Sequence, residues 1–185
     1  MKIEQFVVHT EASPEVVTGP RFDIVNNYHR SQGFTKSQLG YYVAYHYFIE
    51  VGGEVRQARR DTERGEHTIG ANDNSLGICL AGNGDFQEPT PKQVESLRKL
   101  LIEKCEQYGV SKDKIYPHRK FRPSKTCYGR LLADDWASKL VEPIIITSTV
   151  QAQITILQQL LNLYQQLLAI LKNPKVVGSI DREHI

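Results

Sequence analysis

Six histidines and three cysteines hold most of the metal-binding chemistry available to this chain. Zinc takes imidazole and thiolate donors that converge from rigid elements, so each candidate is judged by the element that would carry it. His9 closes the apolar run Ile3 to His9, His118 closes Ile115-Tyr116-Pro117-His118, and Cys127 lies in the polar loop that follows. His118 and Cys127 stand nine residues apart, too far for one helical face but within reach of a loop that folds back. Three such ligands would leave the fourth tetrahedral position open to water, as in catalytic rather than structural zinc sites. The other candidates read differently. Cys79 in an apolar strand and Cys105 on the core face of a helix read as small buried hydrophobes. His29, between Tyr28 and Arg30 on a helix, is expected at the surface, and His184 in the tail carries no signal. His46 and His67 are decoys as ligands, and alternation along a strand would put His46 on the face opposite Tyr45.

Such ligands need a scaffold, and the chain supplies the signals for one. Residues 3 to 9 read as a buried strand. Asp23 to Ser31 reads as a helix, with Pro20 ahead of it and Gly33 as a left-handed stop. Val43 to Val51 is aromatic and β-branched, and Gly52-Gly53 before Glu54 to Gln57 signals a hairpin. A polar, Gly-studded loop from Arg59 to Asn74 leads to a short apolar strand, Ser75 to Ala81. Thr90, Pro91 and Gln93 then announce a helix, as cap, first helical residue and capping-box partner. Leu97, Leu101, Cys105 and Tyr108 share one face of it, and Gly109 ends it. A last strand at Ile115 to His118, a basic loop through Gly129 and a brief helix around Trp136 complete residues 1–142. The interleaving predicts an α/β domain, a central mixed β-sheet flanked by helices.

Residues 143–185 form a separate helical appendage and tail. The stretch 143–171 holds no charged residue and is dominated by Gln and Leu. Val150, Ile154, Leu157, Leu161, Tyr164, Leu168 and Leu171 keep the alternating 4-3 spacing of a heptad seam. A second stripe runs beside it through Ile156, Leu160, Leu163, Leu167 and Ile170, so the helix must bury a face against something. Pro143 would start this segment and Asn173-Pro174 would stop it.

Composition narrows the class. The 185 residues carry 23 Lys plus Arg against 21 Asp plus Glu, a net charge of +2, so no nucleic-acid partner is expected. An odd count of three cysteines without repeated spacing offers no disulfide framework. The first residues lack the apolar region of a secretory leader, and no unbroken run of 18 apolar residues suggests a membrane span.

Several blocks in order carry a resemblance. They are His9-Thr10; Ala44-Tyr45-His46-Tyr47-Phe48-Ile49; Arg59 ahead of Glu66-His67-Thr68-Ile69-Gly70-Ala71-Asn72-Asp73-Asn74-Ser75-Leu76-Gly77-Ile78; and Thr90-Pro91-x-Gln93-x-x-Ser96-Leu97. The last is His118-Arg119-x-Phe121-x-Pro123-Ser124-Lys125-Thr126-Cys127. Over roughly residues 6 to 137 the chain resembles the zinc N-acetylmuramoyl-L-alanine amidases, which include phage lysozyme-type amidases and peptidoglycan recognition proteins. The resemblance implies that His9, His118 and Cys127 bind Zn2+ and that Tyr45 and Lys125 assist catalysis. It also implies that His67, Asn72 and Arg59 line the substrate groove. The implied reaction is hydrolysis of the amide between N-acetylmuramic acid and L-alanine, in peptidoglycan or muropeptides. Synthesis in the cytoplasm is expected, with action on muropeptides there or on the wall after release.

One departure stands out, because relatives usually have Pro directly after the ligand Cys and this chain has Tyr128. Loss of a fixed φ is expected to leave the ligand loop more mobile. Two rival readings remain. One is a non-catalytic peptidoglycan-binding protein, against which Cys127, Tyr45 and Lys125 speak. The other makes the C-terminal helix the working part; its Gln face disfavours an anionic membrane surface. Homo-oligomerisation through residues 143–172 is the expected use of that helix.

Overall fold

The computed structural model describes residues 1–142 and 148–172, in two units, Met1–Glu142 and Pro143–Ile185. The first unit is built on five strands, β1 (Gln5–Thr10), β2 (Tyr47–Ile49), β3 (Val55–Gln57), β4 (Ser75–Leu80) and β5 (Ile115–Pro117). Their order is β3-β2-β4-β1-β5, with β1 parallel to β4 and β5, β2 parallel to β4, and β3 antiparallel to β2. The mixed α/β architecture expected from the sequence is present.

Period-two alternation assigns the two faces of this sheet. Phe6, Val8, Leu76, Ile78, Leu80, Tyr47 and Ile49 pack with Leu97, Leu100 and Leu101 of α2 (Pro91–Tyr108) in the larger core. Phe48 and Cys79 face the other way, into a smaller core with Phe22 and Val25 of α1 (Phe22–Ser31). His9 pairs in register with Cys79 and so belongs to the α1 face. Val8 pairs with Pro117, so one step on, His118 comes level with His9. Two candidate ligands thus meet because parallel strands in this register end together.

The helix signals hold. Thr90 caps α2 reciprocally with Gln93, Pro91 is its first residue, and Gly109 ends it at φ 64°; a cap of this kind is worth about 1 kcal/mol. Ahead of α1 the Glu50 carboxylate accepts from the backbone N–H groups of Arg21 and Phe22, at 2.7 and 2.9 Å. A short α3 (Trp136–Lys139) lies where a brief helix was expected.

Two expectations fail here. Val43 to Val51 is not one strand, since only Tyr47–Ile49 joins the ladder. The reason is that the backbone of residues 43 and 44 is satisfied elsewhere. Arg59 Nε donates to the Val43 carbonyl at 2.9 Å, the Ala44 N–H donates to His29 Nδ1 at 3.2 Å, and the Ala44 carbonyl accepts from Glu66 N–H at 3.0 Å. His29, expected at the surface, is buried for the same reason and packs against Phe34 and Tyr45.

That burial has a pH consequence. Desolvation first, and the Arg59 charge second, push the His29 imidazole down to about 4. Between there and the ordinary value near 6.5 the unfolded chain binds the proton and the folded one does not. Stability from this group is therefore complete above about pH 6.5 and is lost as pH falls toward 4, by on the order of 3 kcal/mol. Urea midpoints measured from pH 7 down to 4.5 should fall, and His29→Gln should flatten that slope. An unchanged slope in His29→Gln would remove His29 as a cause.

In the second unit, α4 (Ser148–Leu171) is one 24-residue helix. Its Ile156, Leu157, Leu160, Leu161, Leu163 and Tyr164 are all exposed. Gln153–Leu171 is, by length and composition alone, apolar enough to cross a membrane. Its glutamines break every long apolar run, yet two adjoining Leu/Ile stripes keep the segment apolar as a whole. Pro143, Asn173-Pro174 and His184 lie outside the described residues.

Candidate metal centre and active site

His9, His118 and Cys127 come together at the ends of β1 and β5, with one ligand atom from each lying within 4.8 Å of the others. Cys127 Sγ stands 3.8 Å from His9 Nδ1, close to the roughly 3.5 Å edge that zinc bonds of 2.0–2.3 Å give a tetrahedron. The His9 and His118 rings are 4.7 Å apart. No other group of three His, Cys, Asp or Glu residues among the described residues converges in this way.

The protonation states of the imidazoles suit metal binding. Burial pushes His9 well below its ordinary value, and burial with the Lys125 and Arg122 charges pushes His118 down. Both rings are therefore neutral donors at pH 7, the form that binds metal. Burial pushes the Cys127 thiol up to about 11, so without a cation it keeps its proton. The Thr10 backbone N–H nevertheless donates to Cys127 Sγ at 3.2 Å, which favours the thiolate a metal would take. Borderline donors, neutral imidazoles and one shielded sulfur together fit zinc.

Tyr45 stands beside this cluster, its ring 5.0 Å from that of His9 and 5.7 Å from that of His29. Burial pushes its phenol well above the ordinary value, so the hydroxyl keeps its proton at neutral pH. It occupies a bend before β2 rather than a strand, so the alternation argument that set His46 opposite it does not apply. Fully buried His46 is spoken for: its Nδ1 accepts from Gly77 N–H and its Nε2 donates to the Glu63 carbonyl. Lys125 is exposed in the ligand loop, near enough for its charge to depress His118.

The three residues expected to line the groove are all buried. Arg59 is 2% exposed and Asn72 is 6% exposed. Arg59 donates to the carbonyls of Val43 and Thr35 and pairs with Glu66 at 3.5 Å. Asn72 Oδ1 accepts from the Thr68 N–H at 2.7 Å. His67 lies behind His9, its Nδ1 3.1 Å from His9 Nε2. A polar block that reads like a surface loop is folded inward because its donors and acceptors satisfy one another.

The ligand loop is fixed by residues to which the sequence reading gave no role. Tyr128, in place of the Pro that the resemblance led one to expect, is fully buried, its hydroxyl donating between the carbonyls of Ala133 and Asp134 at 2.9 and 2.7 Å. Its ring stands edge-on to Trp136. Arg119 donates to the carbonyls of Thr126, Gly129 and Leu132 and pairs with Asp134. A Cβ on Gly84 would lie 2.0 Å from the Tyr128 carbonyl oxygen, so two loops cross there with no room for a side chain. The expected mobility is thus offset by side-chain anchoring in place of a fixed φ.

Residues 1–130 match the N-acetylmuramoyl-L-alanine amidase family. The chain belongs to that family. The expected activity, hydrolysis of the amide between N-acetylmuramic acid and L-alanine in peptidoglycan, stands with this assignment. The endolysin of Enterobacteria phage T3 is 34% identical over 114 residues, which cover 58% of this chain and 70% of that protein. Among solved structures, the amidase LysC of Clostridium intestinale matches with a TM-score of 0.59 at 22% identity, over 70% of this chain and 78% of that one. Peptidoglycan recognition protein-LE, solved with tracheal cytotoxin, a monomeric diaminopimelic acid-type peptidoglycan, matches at TM-score 0.61 and 23% identity. That match covers 77% of this chain and 81% of the other.

Proposed function

We propose that this amidase is a zinc enzyme in which His9, His118 and Cys127 hold the metal and Tyr45 and Lys125 serve the chemical step. The convergence of those three donors at the ends of two parallel strands carries the reading. Bound there, zinc would polarise the amide carbonyl and make water nucleophilic near neutral pH. Tyr45 holds a proton on its phenol oxygen beside the cluster, where it can orient the attacking water, supply its proton to the leaving L-alanine nitrogen and take up in its place the proton that the water loses. Lys125 places a compact cation at the rim, where the carbonyl oxygen gains negative charge during attack. Protonation of that nitrogen completes the break: a carboxylate stays on the lactyl group and a free amine on the peptide.

Purified peptidoglycan sacculi and soluble muropeptides, digested side by side and analysed by mass, test the reading. The expected product is stem peptide with a free L-alanine amine, appearing only when zinc is retained. Tight binding of muropeptide without that product would instead support a recognition protein. Relative rates on the two substrates tell an enzyme of the wall from one that acts on muropeptides in the cytoplasm.

For α4 the heptad seam favours self-association between copies, since a helix without charge has no polar ring to keep it solvated. Removing residues 143–185 should lower the mass measured by light scattering to that of one chain. An unchanged monomer before and after truncation excludes self-association, and loss of vesicle binding on truncation would assign the helix to a membrane.

A further inference from the structure

His67 is buried and touches one of the candidate metal ligands. His9 turns Nδ1 toward Cys127 Sγ, so its metal-facing atom is Nδ1 and the proton sits on Nε2. That Nε2 lies 3.1 Å from His67 Nδ1, with the two rings edge-on at 85°. A nitrogen that accepts there leaves the His67 proton on Nε2, which faces Ser75 Oγ at 3.4 Å. The Ser75 hydroxyl spends its own proton on the Ala71 carbonyl at 2.5 Å, so its lone pairs are free to accept. Donors and acceptors run one way, from His9 through His67 and Ser75 to a backbone carbonyl.

The pocket for this ring is built by glycine. A Cβ on Gly77 would lie 2.4 Å from His67 Cγ, and one on Gly65 would lie 2.4 Å from His67 Cδ2. The Thr68 hydroxyl, 3.0 Å from His67 Nδ1 and 3.4 Å from His9 Nε2, is a longer, rotatable alternative acceptor for the same proton.

We propose that His67 is a positioning residue for the metal centre: it accepts the Nε2–H of His9, fixes its tautomer and ring plane, and presents Nδ1 to zinc. The proposal rests on the reading of His9 as a zinc ligand. Partners of this kind are typically worth about 10–100-fold in metal affinity. Zinc dissociation constants measured by chelator competition on the full chain test it, with thermal melting of the metal-free protein read alongside. His67→Ala should bind zinc about 10–100-fold more weakly. His67→Asn, whose Oδ1 can stand in for Nδ1, should recover most of that affinity, whereas His67→Gln, which reaches toward the Nε2 position, should not. Ser75→Ala, a smaller change, should weaken zinc in the same direction with its melting point retained. In the zinc-loaded parent, nitrogen-15 spectra should show the His9 proton on Nε2. A His9 proton on Nδ1, or zinc bound by His67→Ala and His67→Gln within twofold of the parent, would overturn the proposal. Equal loss in the Asn and Gln variants would reduce His67 to a structural filler. Full zinc in His118→Ala would point elsewhere, to failure of the ligand assignment itself.

Discussion

Replacing His118 by Ala or Cys127 by Ser should abolish stoichiometric zinc binding and bring peptidoglycan hydrolysis to background, while Cys79→Ser keeps its zinc. The contrast between the two cysteines is the sharp part. Cys79 and Cys127 are both largely enclosed, but Cys79 Sγ meets the Leu80 carbonyl and the Tyr45 hydroxyl, whereas Cys127 Sγ sits 3.8 Å from His9 Nδ1 and receives the Thr10 N–H. A serine oxygen cannot become an anion near pH 7 and is a harder, poorer zinc donor than thiolate. Without the metal, water must act with a pKa near 15.7 instead of about 7, which no side chain here can make up. Because the Cys127 thiol in the metal-free protein is pushed up to about 11, zinc uptake should release a proton and weaken as pH falls. Metal analysis of dialysed protein, with turnover on sacculi, measures both. Full zinc occupancy in His118→Ala, or loss of zinc from Cys79→Ser, would overturn the ligand assignment.

Residue type and a place at or after a strand end singled out His9, His118 and Cys127 as candidates, but only the ordered blocks shared with the amidases joined them into one ligand set. The cap at Thr90 and the left-handed stop at Gly109 were legible because one turn of chain decides them. What was not legible depended on long-range satisfaction of polar groups. His29 looked exposed between Tyr28 and Arg30, and only the distant Ala44 N–H shows why its ring turns inward. The burial of Arg59, His67 and Asn72 was likewise not legible, because partners on residues 9, 35, 43 and 68 set it. Tyr128 is the clearest case. Its departure from Pro suggested a loosened loop, whereas its phenol reaches two carbonyls that no local pattern announces. For α4 the period was readable and its summed hydropathy was not, because glutamines interrupt every apolar run without adding charge.

Tyr45→Phe and Lys125→Ala should retain zinc and fold normally while each loses on the order of a hundredfold or more in turnover, with substrate binding nearly intact. Loss of one oxyanion-stabilising group typically costs about 10²–10³ in kcat, roughly 3–4 kcal/mol. A general acid–base partner is worth about 10²–10⁴. Tyr45 is the finer probe, because its ring is wedged between those of His9 and His29 and the Phe variant keeps that packing while deleting only the hydroxyl. Its phenol, raised well above the ordinary value, is held protonated across neutral pH. The parent's rate should therefore show no alkaline limb from Tyr45 below about pH 9, since the folded-state value lies above the ordinary 10. Lys125 differs in being exposed, so its effect should shrink as salt rises, which a buried phenol's should not. Lys125→Arg should recover only part of the rate, because a planar guanidinium spreads the charge that an ammonium concentrates at one point. Purified variants compared on sacculi, with zinc measured in the same samples, decide between these outcomes. Turnover within a few fold of the parent in both would mean that the metal and its water suffice, and that neither Tyr45 nor Lys125 takes part in breaking the amide.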